Sequence, residues 1–321
     1  MQSVLVVRPS SLGDIVYALA IASDIRRACP GAVVDWVSEP GFAPLVGLCP
    51  DVARVVTFGL RRWRQAPFAP ATWREVRHFR DALRKTEYAA ILDLQEQVKG
   101  ALIARIARGT RHGFDFASIR EPVAALFDDV HHRVPRQLHF LARCRQLAAA
   151  ALGYRLDAPP RWRLEPPSTA PAMPTRPYVV LLHGTSRDDK LWPEPHWRRV
   201  QETIADAGLA MVLPWGSAAE EARSLRLAES FGSAVVPPWL SLPEAAALLA
   251  KAELAIGVDT GFTHLAAALG TPTIAIFSVT EAARHGVGCA GAHAQDVGDR
   301  GAMPSAGAVV DAVRARLAAF A

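Results

Sequence analysis

Cysteine is scarce in this chain: four occur in 321 residues, Cys29, Cys49, Cys144 and Cys289, with no C-x-x-C spacing among them. That argues against a zinc ribbon and a disulfide framework, and it suits a reducing cytoplasm. A dinucleotide fingerprint is missing as well, because the loop after the first apolar run holds Gly13 alone where NAD binding needs three spaced glycines. No apolar run has the length of a membrane span. The longest charge-free stretch, residues 260–280, is interrupted by Gly270 and Pro272 and carries polar residues throughout. No basic leader precedes Val4-Leu5-Val6-Val7, so the start is expected to be the first strand of a domain rather than a signal peptide. Charge is not lopsided either. The net charge of +5 comes partly from clustered arginines, which points to local contacts with acidic groups. No nucleic-acid partner is expected, since the basic residues form a short run rather than a stripe along a face. With 50% hydrophobic and 21% charged residues, the chain has the profile of a soluble globular protein, long enough for two domains.

What is present centres on residues 254–277. Leu254-Ala255-Ile256-Gly257-Val258 and Thr273-Ile274-Ala275-Ile276-Phe277 are short apolar runs that fit buried parallel strands. Between them, Asp259-Thr260-Gly261-Phe262-Thr263-His264 leads into a short helix ended by Gly270 and Pro272. Free N–H groups at a helix amino end favour an anion, and Gly261 lets a phosphate approach the backbone. Asp259 is electrostatically out of place beside a phosphate unless its carboxylate caps the helix or accepts hydrogen bonds from ligand hydroxyls. The same pattern also describes a capped helix with nothing bound.

Taken in order, the first strand ends at Arg8-Pro9-Ser10-Ser11-Leu12-Gly13-Asp14, and a helix follows with Ile15, Val16, Leu19, Ile21, Ala22 and Ile25 as its apolar positions. Asp14 is either a helix cap or a carboxylate with a function. Strands are expected at residues 33–37, 52–58 and 89–94, with a helix over 73–84. Arg61-Arg62-Trp63-Arg64 reads as a basic, aromatic loop. Its arginine forks suit carboxylate or phosphate, and its tryptophan suits stacking on an arginine or a sugar face, although an exposed charge run needs no ligand.

An Ala- and Leu-rich helix over 136–152 precedes Pro159, Pro160, Pro166, Pro167, Pro171, Pro174 and Pro177, a stiff segment expected to separate two domains, 1–155 and 178–321, with 156–177 as linker. The second half repeats the pattern, with strands at 178–182, 209–213 and 234–236. Ser241-Leu242-Pro243-Glu244 there has the spacing of a capping box. Strand and helix alternate in both halves, so the expected class is α/β with two Rossmann-like, doubly wound domains of the GT-B type, facing across a cleft. Loops at the strand carboxyl ends would then hold a donor on one side and an acceptor on the other. The last helix is allowed to pack back on the first domain.

Five motifs stand in order along nearly the whole chain: Ser10-Ser11-Leu12-Gly13-Asp14; Arg61-Arg62-Trp63-Arg64; Thr185-Ser186-Arg187-Asp188-Asp189-Lys190-Leu191-Trp192-Pro193; Leu213-Pro214-Trp215-Gly216; and Val258-Asp259-Thr260-Gly261-Phe262-Thr263-His264. Each is weak alone, but together the set resembles the lipopolysaccharide heptosyltransferase I enzymes of glycosyltransferase family 9. The resemblance implies transfer of heptose from ADP-L-glycero-β-D-manno-heptose to the first Kdo of Kdo2-lipid A, with inversion. It implies no cofactor, since ADP-heptose is a substrate, and a cytoplasmic enzyme in peripheral contact with the inner membrane. Inverting transfer needs a base for the acceptor hydroxyl and charge stabilisation for the departing diphosphate. Asp14 is the expected base, and Lys190 with the helix amino end after Thr260-Gly261 the expected diphosphate site. The resemblance adds Ser10, Thr185, Ser186, Glu220, Leu240, Asp259 and His264 around the donor, with Glu220 on the ribose hydroxyls. It places Arg61, Arg62, Arg64 and Arg120 toward the anionic acceptor.

The chain departs from the family pattern in places. Gln65 replaces a basic residue, Leu240 a methionine, and Ser278-Val279-Thr280 a Gly-Pro-Thr run. These changes bear on acceptor binding, on the adenine pocket and on the edge of the donor pocket respectively. No D-x-D motif stands in a family-like metal-binding position, so no metal is expected: a lysine and a helix dipole can neutralise a diphosphate. Two other readings fit the same fold. A nucleotide-sugar epimerase would need the base and the diphosphate site but not the arginine cluster, and a non-catalytic nucleotide-sugar sensor would need Asp14 only as a cap.

Overall fold

The protein is described here from a computed structural model covering residues 2–229, 231–232 and 234–318. Contacts divide the chain inside its Pro-rich segment, into Met1–Glu165 and Pro166–Ala321. Part of that segment is stitched to the first unit. Trp162 Nε1 donates to the Val16 carbonyl at 2.6 Å, Arg163 pairs with Asp51 at 2.8 Å, and the Glu165 N–H reaches the Leu48 carbonyl at 2.8 Å.

In the first unit the strands are β1 (Ser3–Val7), β2 (Val33–Ser38), β3 (Arg54–Thr57), β4 (Glu87–Asp93), β5 (Arg108–Phe114) and β6 (Val130–His132). The helices are α1 (Leu12–Ala28), α2 (Ala43–Val46), α3 (Leu60–Gln65), α4 (Pro70–Arg84), α5 (Val98–Ile106) and α6 (Phe140–Leu152), with a 3-10 helix at Pro122–Phe127. The second unit has β7 (Tyr178–Leu182), β8 (Ala210–Val212), β9 (Ala234–Val235), β10 (Leu254–Val258), β11 (Thr273–Ile276) and β12 (Ala294–Val297). Its helices are α7 (Glu194–Asp206), α8 (Ala218–Ala228), α9 (Leu242–Ala250), α10 (Gly261–Ala268), α11 (Ala282–His285) and α12 (Ala306–Ala318).

Both sheets are parallel and doubly wound. The first runs β3-β2-β1-β4-β5-β6, and the second, β12-β11-β10-β7-β8-β9, is the same order read from the opposite edge. Central strands such as β1, β7 and β10 are apolar along nearly their whole length because helices cover both faces of a parallel sheet. α1 is apolar on most of its circumference and is accordingly buried, packing on α6. In the second unit Trp192 and Trp197 meet edge to face at 5.3 Å within the core, and α12 packs on α7 with Val309, Val310 and Val313 in that core. The capping box at Ser241 forms, Glu244 accepting from the Ser241 hydroxyl at 2.7 Å. The 61–64 motif is not a loop: Leu60–Gln65 is helical.

A buried ion pair organises the first unit. Arg143 on α6 meets Glu96 in the loop after β4 with two bonds of 2.9 and 3.0 Å, donates to the Ser118 carbonyl at 2.6 Å, and lies 4.5 Å over the Phe114 ring. Replacing Arg143 with Met leaves the Glu96 charge buried and alone. The expected cost is about 3 to 5 kcal/mol, read as a lower urea midpoint of the first unit, and an unchanged midpoint would sink this account.

Candidate active site

In a doubly wound sheet the strand order reverses at one place, and the loops at the strand carboxyl ends part there to leave a crevice. In the second unit the reversal lies between β7 and β10, and two of the sequence motifs occupy those loops. After β10, Thr260 is the N-cap of α10 and Gly261 its first residue. Asp259 therefore does not cap the helix. Its carboxylate accepts from Lys190 Nζ at 2.6 Å and meets His264 Nε2 at 3.2 Å. Lys190 sits on the short 3-10 turn Asp188–Lys190 after β7, where Arg187 and Asp189 pair with each other and leave Lys190 to Asp259. Burial works to raise the Asp259 pKa, but hydrogen bonds and charge from His264, Lys190 and Thr280 hold it far below the usual carboxylate range. Thr280 belongs to the run that departs from the family pattern, and its hydroxyl takes a place beside Asp259 that motif reading did not assign.

Next to this cluster a pocket opens within the second unit. Leu182, Leu240, Ala245, Leu248, Leu249 and Trp215 supply apolar wall, and Thr185, Ser186, Glu220 and Thr260 supply polar groups. Trp215 is held by a bond from Nε1 to the Pro237 carbonyl at 2.8 Å. Glu220 lies in the first turn of α8, accepts the Gly216 N–H at 2.7 Å, and covers Gly184 so closely that a Cβ there would stand 2.6 Å from its carboxyl carbon. Glycine at 184 is thus a condition for Glu220 to face the pocket. Thr185 leans on the loop itself, its hydroxyl 3.4 Å from the Asp259 carbonyl. An apolar pocket with a carboxylate at its side, next to a lysine-bearing cluster and a helix amino end, has the chemistry for a nucleoside diphosphate.

In the first unit the order reverses between β1 and β4. Ser11 is the N-cap of α1, and Asp14 is the third residue of the helix, accepting from the Ser11 hydroxyl at 2.8 Å and its N–H at 3.3 Å. Asp14 also pairs with Arg8, a buried arginine whose guanidinium lies 4.7 Å over the Phe140 ring. Burial raises the Asp14 pKa, while Arg8 and the Ser11 bonds outweigh it and hold the carboxyl below its ordinary value. Ser10, grouped with the donor residues on resemblance, lies in this first-unit group, where its hydroxyl accepts from Lys99 Nζ at 2.9 Å. Lys99 is 3.8 Å from Glu39, which pairs with Arg61 at 3.2 Å. Arg8, Glu39 and Lys99 escaped sequence reading because each stands outside the recognised motifs or unremarked at the edge of one.

The remaining basic residues are less gathered. Arg62 pairs with Glu75 at 2.6 Å, and Trp63 donates to the same carboxylate at 2.7 Å. The Trp63 ring meets Phe58 at 5.2 Å and Phe79 at 5.8 Å, so it belongs to an aromatic cluster rather than to an arginine or a sugar face. Arg64 on α3 is exposed, as is Arg120 in the segment before the 3-10 helix. Among the described residues no group of three or more His, Cys, Asp or Glu is placed to hold a metal ion, and no helix is long and apolar enough to cross a membrane.

Comparison with known proteins matches this arrangement to one family. The profile of glycosyltransferase family 9 (heptosyltransferase) covers residues 76–307. Lipopolysaccharide heptosyltransferase 1 of Escherichia coli K12 is 41% identical over 281 residues, 87% of this chain and 88% of that protein. Among solved structures, the E. coli heptosyltransferase WaaC with ADP has a TM-score of 0.88 at 36% identity, covering 98% of this chain and 100% of that one. The structure of WaaC with ADP-2-deoxy-2-fluoro heptose scores 0.84 at 36% identity, over 98% and 99% of the two chains.

The Asp259 cluster has a pH signature. Its depressed pKa means that ionised Asp259 stabilises the fold above the unfolded value of about 3.9, and that this contribution is lost as pH falls through the lower folded value. Asp259→Asn should therefore unfold more easily than the native protein by a constant margin from neutral pH to about pH 5, with the margin shrinking below about pH 4. Urea titrations across that range check it, and a margin that grows on acidification would refute the assignment.

Proposed function

The chain belongs to glycosyltransferase family 9, as the match over residues 76–307 establishes, and we propose that it transfers L-glycero-D-manno-heptose from ADP-heptose to the first Kdo of Kdo2-lipid A. It is a heptosyltransferase of lipopolysaccharide biosynthesis. The observation that carries this reading is the 41% identity along 87% of the chain to a lipopolysaccharide heptosyltransferase 1. The same observation favours transfer over sugar epimerisation or passive sensing.

Our assignment of roles follows the chemistry. ADP lies in the second-unit pocket, with the base in the apolar slot, the ribose hydroxyls on Glu220, and the diphosphate on Lys190 and the N–H groups opening α10. Lys190 has an anionic partner in Asp259, 2.6 Å away. Diphosphate binding thus shares or exchanges a partner and does not bring a free cation out of water. His264 steadies Asp259 through that change. As the glycosidic bond to phosphate breaks, charge grows on the diphosphate, and the fixed ammonium and helix dipole stabilise it without a metal.

Asp14 takes the proton from the acceptor hydroxyl. Its depressed pKa makes it a weak base in the resting site, so the rate gain comes from placement and from the loss of water when the acceptor covers it. Arg8 keeps the carboxylate oriented. The acceptor's carboxylate and phosphate groups are met by Lys99, Arg61, Arg62, Arg64 and Arg120, the first two held in readiness by Glu39. Lipid A anchors the acceptor in a membrane, so the enzyme works in peripheral contact with the cytoplasmic face of the inner membrane.

Incubation with ADP-heptose and Kdo2-lipid A should release ADP and add one heptose mass to the lipid. Consumption of ADP-heptose without the lipid would overturn the reading. In that assay Asp14→Asn should bind ADP-heptose normally and lose about a hundredfold or more in kcat. A variant that binds donor and turns over near the native rate would remove Asp14 as the base. Turnover should also persist in EDTA, and activity lost to EDTA and restored by magnesium would contradict the roles given to Lys190 and α10.

A further inference from the structure

The sheet of the first unit ends at β6, and the chain around that edge leaves large apolar side chains in solvent. Phe116 is 50% exposed, Val123 58%, Leu126 68% and Val130 37%, and Leu102 on the neighbouring helix α5 is 49% exposed. Five of the eleven most exposed large hydrophobic residues among those described fall in this one corner, a clustering that scattered surface leucines and valines do not show. The geometry is built rather than loose. A 3-10 helix repeats every three residues, so Val123 and Leu126 share its outer face while Ala124 and Ala125 are buried. That helix packs on α5. His131 of β6 ties the pieces together: its Nε2 lies 2.7 Å from the Ala125 carbonyl, and its ring lies 5.6 Å from that of Phe116.

Arginines outnumber carboxylates among the exposed charges around the corner. Arg105, Arg120, Arg133 and Arg136 are exposed. The carboxylates of the same segment are hydrogen-bonded, paired or buried, with Asp129 keeping an exposed edge. Asp115 accepts the Ser118 N–H at 2.8 Å, Glu121 accepts from Val98 at 2.9 Å and Gln97 at 3.1 Å, Asp129 pairs with Arg111, and Asp128 is buried. An apolar centre ringed by free arginines complements an anionic lipid surface, whose headgroups take the charge and whose acyl boundary takes the side chains. The corner also continues into the Asp14 group. Glu121, next to Arg120, caps α5 at Val98, and the following residue, Lys99, reaches Ser10.

We propose that this corner, centred on Val123 and Leu126, docks the protein on an anionic phospholipid bilayer. The inference deepens the reading of a lipid-anchored acceptor, and its test does not depend on transfer. The native protein is sedimented with vesicles of phosphatidylglycerol and phosphatidylethanolamine, and with vesicles of phosphatidylcholine alone. It should bind the first and scarcely the second. Val123→Ser with Leu126→Ser should weaken binding about tenfold or more, because two apolar side chains leave the acyl boundary. Melting temperature and transfer to a water-soluble Kdo acceptor should not change. Leu126→Ser alone should give a smaller loss in the same direction, and Leu225→Ser, 52% exposed in the second unit, should give none. Native-level binding by the double variant overturns the proposal. So does sedimentation velocity showing a native dimer that the double variant dissolves, which would assign the corner to a second copy of the chain. If no acceptor is glycosylated while vesicle binding follows the substitutions, the activity reading fails and the docking surface stands.

Discussion

The Asp14 and Asp259 groups both depend on where the strand order of a parallel sheet reverses. At β1/β4 and again at β7/β10 the connecting segments depart to opposite faces, so the carboxyl ends of two central strands carry loops with nothing between them. Helix amino ends point their unpaired N–H groups into the same space. The two halves of the chain solve the same geometry with different side chains: a carboxylate beside a serine N-cap in one, a carboxylate–lysine–histidine set beside an apolar slot in the other.

Charge balance is the second constraint. Buried or half-buried ions are costly unless paired, and each charged group central to the two sites has a partner: Arg8 has Asp14, Lys190 has Asp259, and Lys99 and Arg61 share Glu39. Such pairs offset the cost of taking these charges out of water. They also mean that a phosphorylated ligand competes with carboxylates already in place, so affinity reflects a difference between two sets of ion pairs rather than the gain from one. Asp259, awkward beside a phosphate when the motif is read alone, becomes intelligible as the anion that keeps Lys190 in position. The family match and the site chemistry thus converge from independent directions, one from similarity along the chain and the other from a pocket suited to a nucleotide with a cation at its end.

Much was legible in the residues themselves. Buried parallel strands must be apolar on both faces, so β1, β7 and β10 announce themselves as uninterrupted runs, and the box at Ser241 and Glu244 marks a helix start. Alternation of strand and helix then dictated an α/β chain in two halves, and the ordered motifs pointed to the family. Other elements were illegible for equally physical reasons. β5 reads Arg-Gly-Thr-Arg-His-Gly-Phe and β12 reads Ala-Gln-Asp-Val, too polar to be recognised as strands, because they lie near or at a sheet edge where neighbours cover less of them. α3 looked like a loop because its apolar anchor is one tryptophan, packed on Phe58 and Phe79 from elsewhere in the chain.

Only the tertiary structure decided which charges meet. Lys190 and Asp259 are 69 residues apart, and Lys99 and Ser10 are 89 apart. Periodicity reports which face of an element is buried, whereas pairing between distant loops follows from sheet order and from the directions in which helix ends open. The sequence by itself determined the class of fold, the family and the residue types that could carry the chemistry. Strand order brought Lys190 to Asp259, while the turn into α10 set His264 on the same carboxylate, which does not cap the helix. The same order makes β6 an edge strand, and Val123 and Leu126 are left facing solvent beside it.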